Sequence, residues 1–260
     1  MHEHLVLALL QEFGAHVSFP QDPLGNEQIA LRWIHFVSGI IWVGLLYFFN
    51  LVGTPALGQL EPGVRAKMYP PLMSRAMWWF RWSALVTVLV GLRYYSIILA
   101  VDAQNAGSRS LAWKWFGWWA LVWLAAYALI YPLQMPSKGV LNKAWVRAIG
   151  IATVVIVASL LVLSLNANPQ ASNAHLCISV GGGLGFLMLL NTWGVVWRVQ
   201  KRLITWNQAN AEQNTPMPAE AERLARWGFL ASRVGLWLSF PMLFFMAAAE
   251  HYPFLGGIGG

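Results

Sequence analysis

The sequence predicts an all-α, polytopic membrane bundle of about six transmembrane helices. Hydrophobic residues make up 58% of the 260 residues and charged residues only 10%, whereas a soluble domain carries about 25% charged residues. Several apolar runs reach the roughly 20 residues that a helix needs to cross a bilayer core. Many of the 16 Trp and 7 Tyr residues lie beside Lys or Arg at the ends of these runs, as interfacial aromatic belts do. Lipid is therefore the main solvent.

The apolar runs predict six spans, and the segments between them carry Pro, Gly and polar residues. The predicted spans are 29–51, 79–99, 116–133, 146–165, 176–197 and 227–249. The predicted connections are 53–55 with Pro62, Pro70 and Pro71, then 104–110, 132–139, 166–173 and 207–218. Residues 1–28 form a predicted N-terminal segment with a short amphipathic surface helix, residues 29–253 the membrane domain, and residues 254–260 a tail.

The basic residues predict the orientation of the chain. With the N-terminus outside, the outer side holds only Arg32, Arg93, Arg109 and Lys114. The inner side then holds Arg65, Lys67, Arg75, Arg81, Lys138, Lys143, Arg147, Arg198, Lys201, Arg202, Arg223, Arg226 and Arg233. Because Lys and Arg accumulate on the cytoplasmic side, both termini are expected on the periplasmic face of a bacterial cytoplasmic membrane. The net charge of +7 therefore records orientation and lipid contact, and no nucleic-acid partner is expected.

Histidines are the residues most suited to chemistry. The predicted topology places all 6 of them on the outer side, and separate spans carry His35, His175 and His251. At about 1.5 Å per residue, His35 lies roughly 9 Å inside the outer boundary, where an imidazole without a partner is costly. Ser38, Gly39 and Trp42 lie on the same helical face. Small residues followed by an aromatic one leave room for a flat macrocycle, although the same pattern is also typical of a face that packs against another helix.

Axial ligation of haem b by His35 and His251 is the predicted use of these side chains. The single Cys177 excludes an intramolecular disulfide, and the sequence holds no Cys-x-x-Cys-His motif for covalent haem. It also holds no His-Glu-x-x-His motif of a zinc protease. Two imidazoles from different helices, surrounded by apolar walls, agree better with a b-type haem.

Further candidates have two interpretations each. Gly182, within the run Gly181-Gly182-Gly183-Leu184-Gly185, either faces a cofactor or allows close helix packing. His175 either contacts the cofactor or lies at a capped helix end in water. Arg32 and Arg93 either pair with haem propionates or anchor the interface. Glu250 either orients His251 or carries protons, or it is a solvated rim residue.

Three runs resemble the membrane domain of membrane-bound, cytochrome-fused urate hydroxylases. They are RWIHFVSGIIWVGLLYFFN from Arg32, NTWGVVWRVQKRL from Asn191, and LASRVGLWLSFPMLFFMAAAEHYP from Leu230. The resemblance implies a helical domain with a periplasmic C-terminus that continues into an electron-accepting cytochrome c, and it implies that His35 and His251 are redox-site residues. The chain departs from that family in two respects. It has no haem c motif, and Ser179 replaces a histidine that is frequent in the family.

The function expected from the sequence is electron transfer by a b-haem membrane subunit that works with a separate periplasmic cytochrome c or a respiratory complex. Two alternatives remain open. One is a urate-hydroxylase-like membrane oxidoreductase that uses a cytochrome in trans, which urate-dependent reduction of added cytochrome c tests. The other is a non-redox scaffold, copper-binding protein or transporter. Few charges are expected near mid-membrane, which disfavours transport.

Overall fold

The computed structural model describes residues 20–255 except Ser137. Six helices in this part of the chain are long and apolar enough to cross a membrane. They are α1 (Pro23–Gln59), α2 (Pro62–Asn105), α3 (Ser110–Leu133), α4 (Ala144–Asn166), α5 (Asn173–Gln213) and α6 (Ala221–His251). The predicted all-α membrane bundle is confirmed, and each predicted span lies within one of these helices. The predicted amphipathic helix in residues 1–20 lies almost wholly outside the described residues.

Several predicted connections are helical instead. Pro70 and Pro71 lie inside α2, and the stretch up to Gln213 belongs to α5. Gly53 closes a π-helical turn, Phe48–Gly53, and Pro55 lies in the next helical turn. A proline ring clashes with the carbonyl four residues earlier in an α-helix, and the wider π turn before Pro55 relieves that clash. The prediction that prolines break the chain here is wrong for Pro55, Pro70 and Pro71, which lie inside helices, whereas Pro62 does stand at a boundary: α1 ends at Gln59 and α2 begins at Pro62.

A second π-helical turn, Thr192–Val196, interrupts α5. Both turns contact α6: Asn50 in α1 donates to Ser232 Oγ at 2.8 Å, and Asn191, just before the turn in α5, donates to the Ala231 carbonyl at 2.7 Å. The two irregular segments thus meet α6 at neighbouring residues. The side-chain amides of Asn50 and Asn191 thus bind α6 next to the π turns, where the regular backbone hydrogen bonds of α1 and α5 are interrupted.

Helix α2 contacts α1, α3 and α5, whereas α6 packs mainly on α5. Large side chains fill the core, among them Trp42, Met77, Tyr95, Trp119 and Trp123, each at most 2% exposed. Helix α4 is peripheral: Ile149, Ile156 and Leu160 are exposed, as expected for a helix that faces lipid. The bundle therefore has its core between α1, α2, α3, α5 and α6.

Side-chain contacts define two ends of the bundle. The start of α1 meets the end of α6, where Arg32 bonds to Glu250 at 3.0 Å. The end of α2 meets the start of α5, where Asp102 bonds to His175 at 3.1 Å. We call this the terminal end, because both ends of the membrane domain lie there. At the opposite end, Arg226 of α6 donates to Asn142, between α3 and α4.

Candidate functional site

The imidazole of His35 is fixed against α2. Its Nδ1 lies 2.9 Å from the carbonyl oxygen of Thr87, and since a carbonyl only accepts, Nδ1 carries the proton. A Cβ built on Gly91 would come within 2.9 Å of His35 Cε1, so the absent side chain of Gly91 makes room for the ring. This arrangement leaves the lone pair of the imidazole on Nε2, the atom that ligates metals in many proteins.

Hydroxyl groups tie the same part of α2 to α1. Thr87 Oγ1 lies 2.9 Å from Ser38 Oγ, and Ser38 also bonds to the Ile34 carbonyl at 2.7 Å. A Cβ on Gly39 would be 3.7 Å from Thr87 Cγ2, an ordinary contact. Ser38 and Gly39 thus pack against α2, which is the helix-packing alternative for this face. The hydrogen bond from Thr87 to Ser38 keeps Thr87 next to α1, where its carbonyl oxygen bonds to His35.

The predicted pairing of His35 with His251 is not seen. The residue of α6 that faces α1 and α2 is Glu250, which accepts from Arg32 at 3.0 Å and from Tyr94 at 3.2 Å. Neighbouring residues on a helix point about 100° apart, so His251 is turned away and lies exposed. Glu250 is 42% exposed, which agrees with the rim interpretation, and it also joins three helices through Arg32 and Tyr94.

Arg32 and Arg93 have carboxylate partners. Arg32 donates to Glu250, and Arg93 donates two hydrogen bonds to the carboxylate of Glu27, at 2.7 and 2.9 Å. The four side chains are 38–50% exposed, and exposed pairs stabilise a fold by only about 0–1 kcal/mol. These contacts agree with the interface-anchor interpretation of both arginines.

His175 takes part in a buried polar cluster that the sequence did not predict. Asp102 Oδ2 accepts from His175 Nδ1 at 3.1 Å and from both the backbone N and the Oγ of Ser172 at 2.8 Å. Ser172 also caps α5 through the backbone N of His175 at 3.2 Å. Asp102 was missed because it precedes His175 by 73 residues. The available signal was a lone acidic side chain at a helix C-terminus, where the macrodipole disfavours it.

Aromatic rings enclose His175. The rings of Trp115 and Tyr95 lie 5.1 and 6.0 Å from it between centroids, and the imidazole is 0% exposed. Among the described residues, its Nε2 and the Tyr95 hydroxyl have no hydrogen-bond partner. Nε2 is therefore enclosed by protein atoms in this arrangement. A role of His175 as cofactor ligand does not agree with this packing.

His35 and His175 lie at different depths. His35 contacts α2 at Thr87 and Gly91, whereas His175 contacts it at Tyr95 and Asp102. The midpoints of these contacts are roughly 14 Å apart along a helix that rises about 1.5 Å per residue. The two imidazoles cannot hold opposite faces of one porphyrin.

The glycine run of α5 packs helices. A Cβ on Gly183 would fall inside the indole of Trp123, whose Nε1 donates to the Ser179 carbonyl at 3.0 Å. A Cβ on Gly181 would come within 2.9 Å of Phe245 Cβ. Gly182, the predicted cofactor contact, would meet only Ile178 and Met246, at 3.4 Å or more. The close-packing interpretation therefore describes Gly181 and Gly183.

Trp42, the last predicted member of the His35 face, is 2% exposed and lines a small cavity with Asn191, Thr192 and Ser232.

Within residues 20–136 and 138–255, no three His, Cys, Asp or Glu side chains come close enough to hold a metal ion. A site built here by protein ligands alone would thus lack the usual ligand number. A cofactor that supplies most of its own ligands, as a porphyrin does, does not need such a cluster.

No protein-family model, curated protein or solved structure matches this chain. The resemblance of its three runs to urate hydroxylases stays a prediction from the sequence.

Proposed function

We propose that this protein binds a b-type haem through His35 and transfers electrons within the membrane. The observation that carries the proposal is the fixed orientation of the His35 ring. A metal-ligating histidine usually donates its other ring N–H to a carbonyl or carboxylate, which selects the tautomer and aims the free nitrogen. His35 makes such a bond to Thr87, inside a helix where an imidazole without a function is costly.

The chain's own residues have separate tasks in this proposal. Thr87 holds the proton on Nδ1, so that Nε2 stays a neutral ligand, and Gly91 leaves room for the ring. The hydrogen bond to Thr87 also raises the electron density that Nε2 offers to iron. Bound haem supplies one-electron chemistry. The proposal assigns one axial ligand, since His175 is enclosed and His251 turns away from α1.

The orientation of the protein is part of the proposal. Arg32 and Arg93 lie at the terminal end, and the connection Ala106–Arg109 between α2 and α3 lies there too. Most other basic residues lie in the first parts of α2 and α6, the last part of α5, and the α3–α4 connection. The positive-inside rule then supports a bacterial cytoplasmic membrane with the terminal end toward the periplasm. The proposed electron partner is a separate periplasmic cytochrome c or respiratory subunit.

Absorption spectroscopy tests the haem proposal directly. The full chain is expressed in a bacterial membrane with haem supplied, purified in detergent, and its Soret and α bands are measured with a pyridine haemochrome assay. His35→Ala is expected to lose most of the haem, whereas His251→Ala is the matched control and keeps it. A folded, colourless wild-type protein rules the proposal out, and copper found by metal analysis then favours the copper-binding alternative.

A further inference from the structure

A cavity of about 450 Å³ lies among α1, α2, α5 and α6, in the half of the bundle away from the terminal end. Its volume falls in the range of roughly 300–1,000 Å³ that small-molecule sites occupy. It is lined by the π turn of α1, the middle of the first part of α2, the second part of α5 and the start of α6. None of the residues discussed so far for haem lines it.

The walls of the cavity are mainly apolar and polarisable. Phe48 and Phe229 come from α1 and α6, and Met73 and Met77 come from α2. Phenyl rings and thioethers pack well against flat rings, because sulfur and aromatic faces are polarisable and Met adapts its rotamer. These walls suit a planar, membrane-soluble ligand.

The polar side chains that line the cavity are Thr54, Arg65, Tyr69, Gln200, Asn207, Glu222 and Ser232. Two of them, Gln200 and Ser232, accept a hydrogen bond from a neighbouring side chain and keep a donor for a ligand. Tyr69 donates its hydroxyl to Gln200 Oε1, so the N–H groups of the Gln200 amide are left for a ligand. Ser232 Oγ accepts from Asn50 Nδ2 at 2.8 Å, so the Ser232 hydroxyl proton is also left. Both Gln200 and Ser232 line the cavity. A ligand that complements them carries two acceptors.

A second, smaller cavity continues beyond Ser232. It has a volume of about 10 Å³, the space of about one water molecule. Trp42 Nε1 and Asn191 Oδ1, each on a residue at most 4% exposed, have no partner among the described residues, and both residues line this cavity. One water there would accept from Trp42 Nε1 and donate to Asn191 Oδ1, and would satisfy both groups.

From this geometry we infer that the large cavity binds a membrane quinone, a planar ring with two carbonyl acceptors and an apolar tail. The ring lies among Phe48, Met73 and Met77, one carbonyl accepts from Gln200, and the other accepts from Ser232. The place of a quinone in electron transfer rests on the proposed haem function. Binding itself does not depend on haem, so the two can fail separately.

The test is binding of decylubiquinone to the purified full chain in lipid nanodiscs, by calorimetric titration against empty nanodiscs. Ser232→Ala removes one donor, and Gln200→Glu removes the other while it keeps an acceptor for Tyr69. Each is expected to weaken binding roughly 2- to 10-fold, the net value of one hydrogen bond. Ala225→Trp fills the cavity and is expected to abolish binding. Ser164→Ala, on the peripheral helix α4, is the matched control and is expected to bind as wild type does.

Two further measurements make the result decisive. A photoreactive azidoquinone should label peptides of the cavity walls, and decylubiquinone should compete for that label. Equal affinity in wild type and Ala225→Trp overturns the inference, as does labelling confined to lipid-facing residues or a cavity that retains phospholipid against excess quinone. His35→Ala should bind quinone normally. If that variant binds quinone while the wild type carries no haem, only the haem proposal fails.

Discussion

The imidazole of His35 occupies the space that a side chain at position 91 would need: a Cβ on Gly91 would lie 2.9 Å from Cε1 and 3.1 Å from Nδ1. Carbon atoms that are not bonded prefer separations of about 3.5–4.0 Å. The glycine on α2 and the histidine on α1 are thus complementary in shape, and the Thr87 carbonyl one turn away fixes the remaining rotation of the ring.

Gly91→Ala is expected to displace the His35 ring and to lower haem occupancy. The added methyl group breaks the Nδ1 bond to Thr87 or shifts α1, at a cost of about 1–3 kcal/mol for overpacking. Haem per protein, measured by pyridine haemochrome, should fall several-fold, and the reduction potential of the residual haem should change. Gly44→Ala is the control, because a Cβ there meets nothing within 4 Å. Equal haem content in the two variants would contradict the role given to Gly91.

The Asp102–His175 pair is expected to stabilise the terminal end of the bundle. Asp102→Ala leaves His175 Nδ1, Ser172 N and Ser172 Oγ without their common acceptor, and a buried group left without its hydrogen-bond partner costs about 1–3 kcal/mol. A drop in the temperature of thermal unfolding in detergent is the expected result. The double variant Asp102→Ala/His175→Ala should lose less than the sum of the single variants. Additive losses would show that the two side chains do not interact.

This pair also shows where prediction from sequence ends. Hydropathy located all six helices because each apolar run must cross the same thickness of lipid. The pairing of Asp102 with His175 depends on the packing of α2 against α5, which periodicity does not encode. Likewise, one residue of helical phase decides whether Glu250 or His251 faces α1, and the sequence leaves that phase open at a helix end. The π turns were hidden because their residues are as apolar as those of a regular helix.

Gly183→Ala is expected to destabilise the contact between α3 and α5 strongly. The new Cβ would overlap the indole of Trp123, which is 0% exposed and cannot move into open space. A loss of several kcal/mol is expected, toward the upper end for overpacking. Gly182→Ala is the control, since its Cβ would approach Ile178 at 3.4 Å. The double variant Gly183→Ala/Trp123→Leu should regain part of the lost thermal stability; if it does not, the overlap is not the cause.

Arg32→Gln and Arg93→Gln are expected to leave haem content unchanged. Both guanidinium groups already bind carboxylates, Glu250 and Glu27, in pairs whose side chains are 38–50% exposed. Their loss should lower the free energy of unfolding by less than about 1 kcal/mol. Pyridine haemochrome and thermal unfolding measure the two quantities. Loss of haem in either variant would instead support the propionate contacts predicted from the sequence.

The orientation can be tested with introduced cysteines, because the native Cys177 is buried. Ser108→Cys lies in the connection between α2 and α3 at the terminal end, and Thr215→Cys lies between α5 and α6 at the opposite end. If the terminal end faces the periplasm, a membrane-impermeant maleimide labels position 108 in intact spheroplasts and position 215 only after lysis. The positive-inside rule predicts this order because the Lys and Arg residues concentrate at the end that holds position 215. The reverse labelling order would place His35 near the cytoplasmic leaflet and exclude a periplasmic cytochrome as its electron partner.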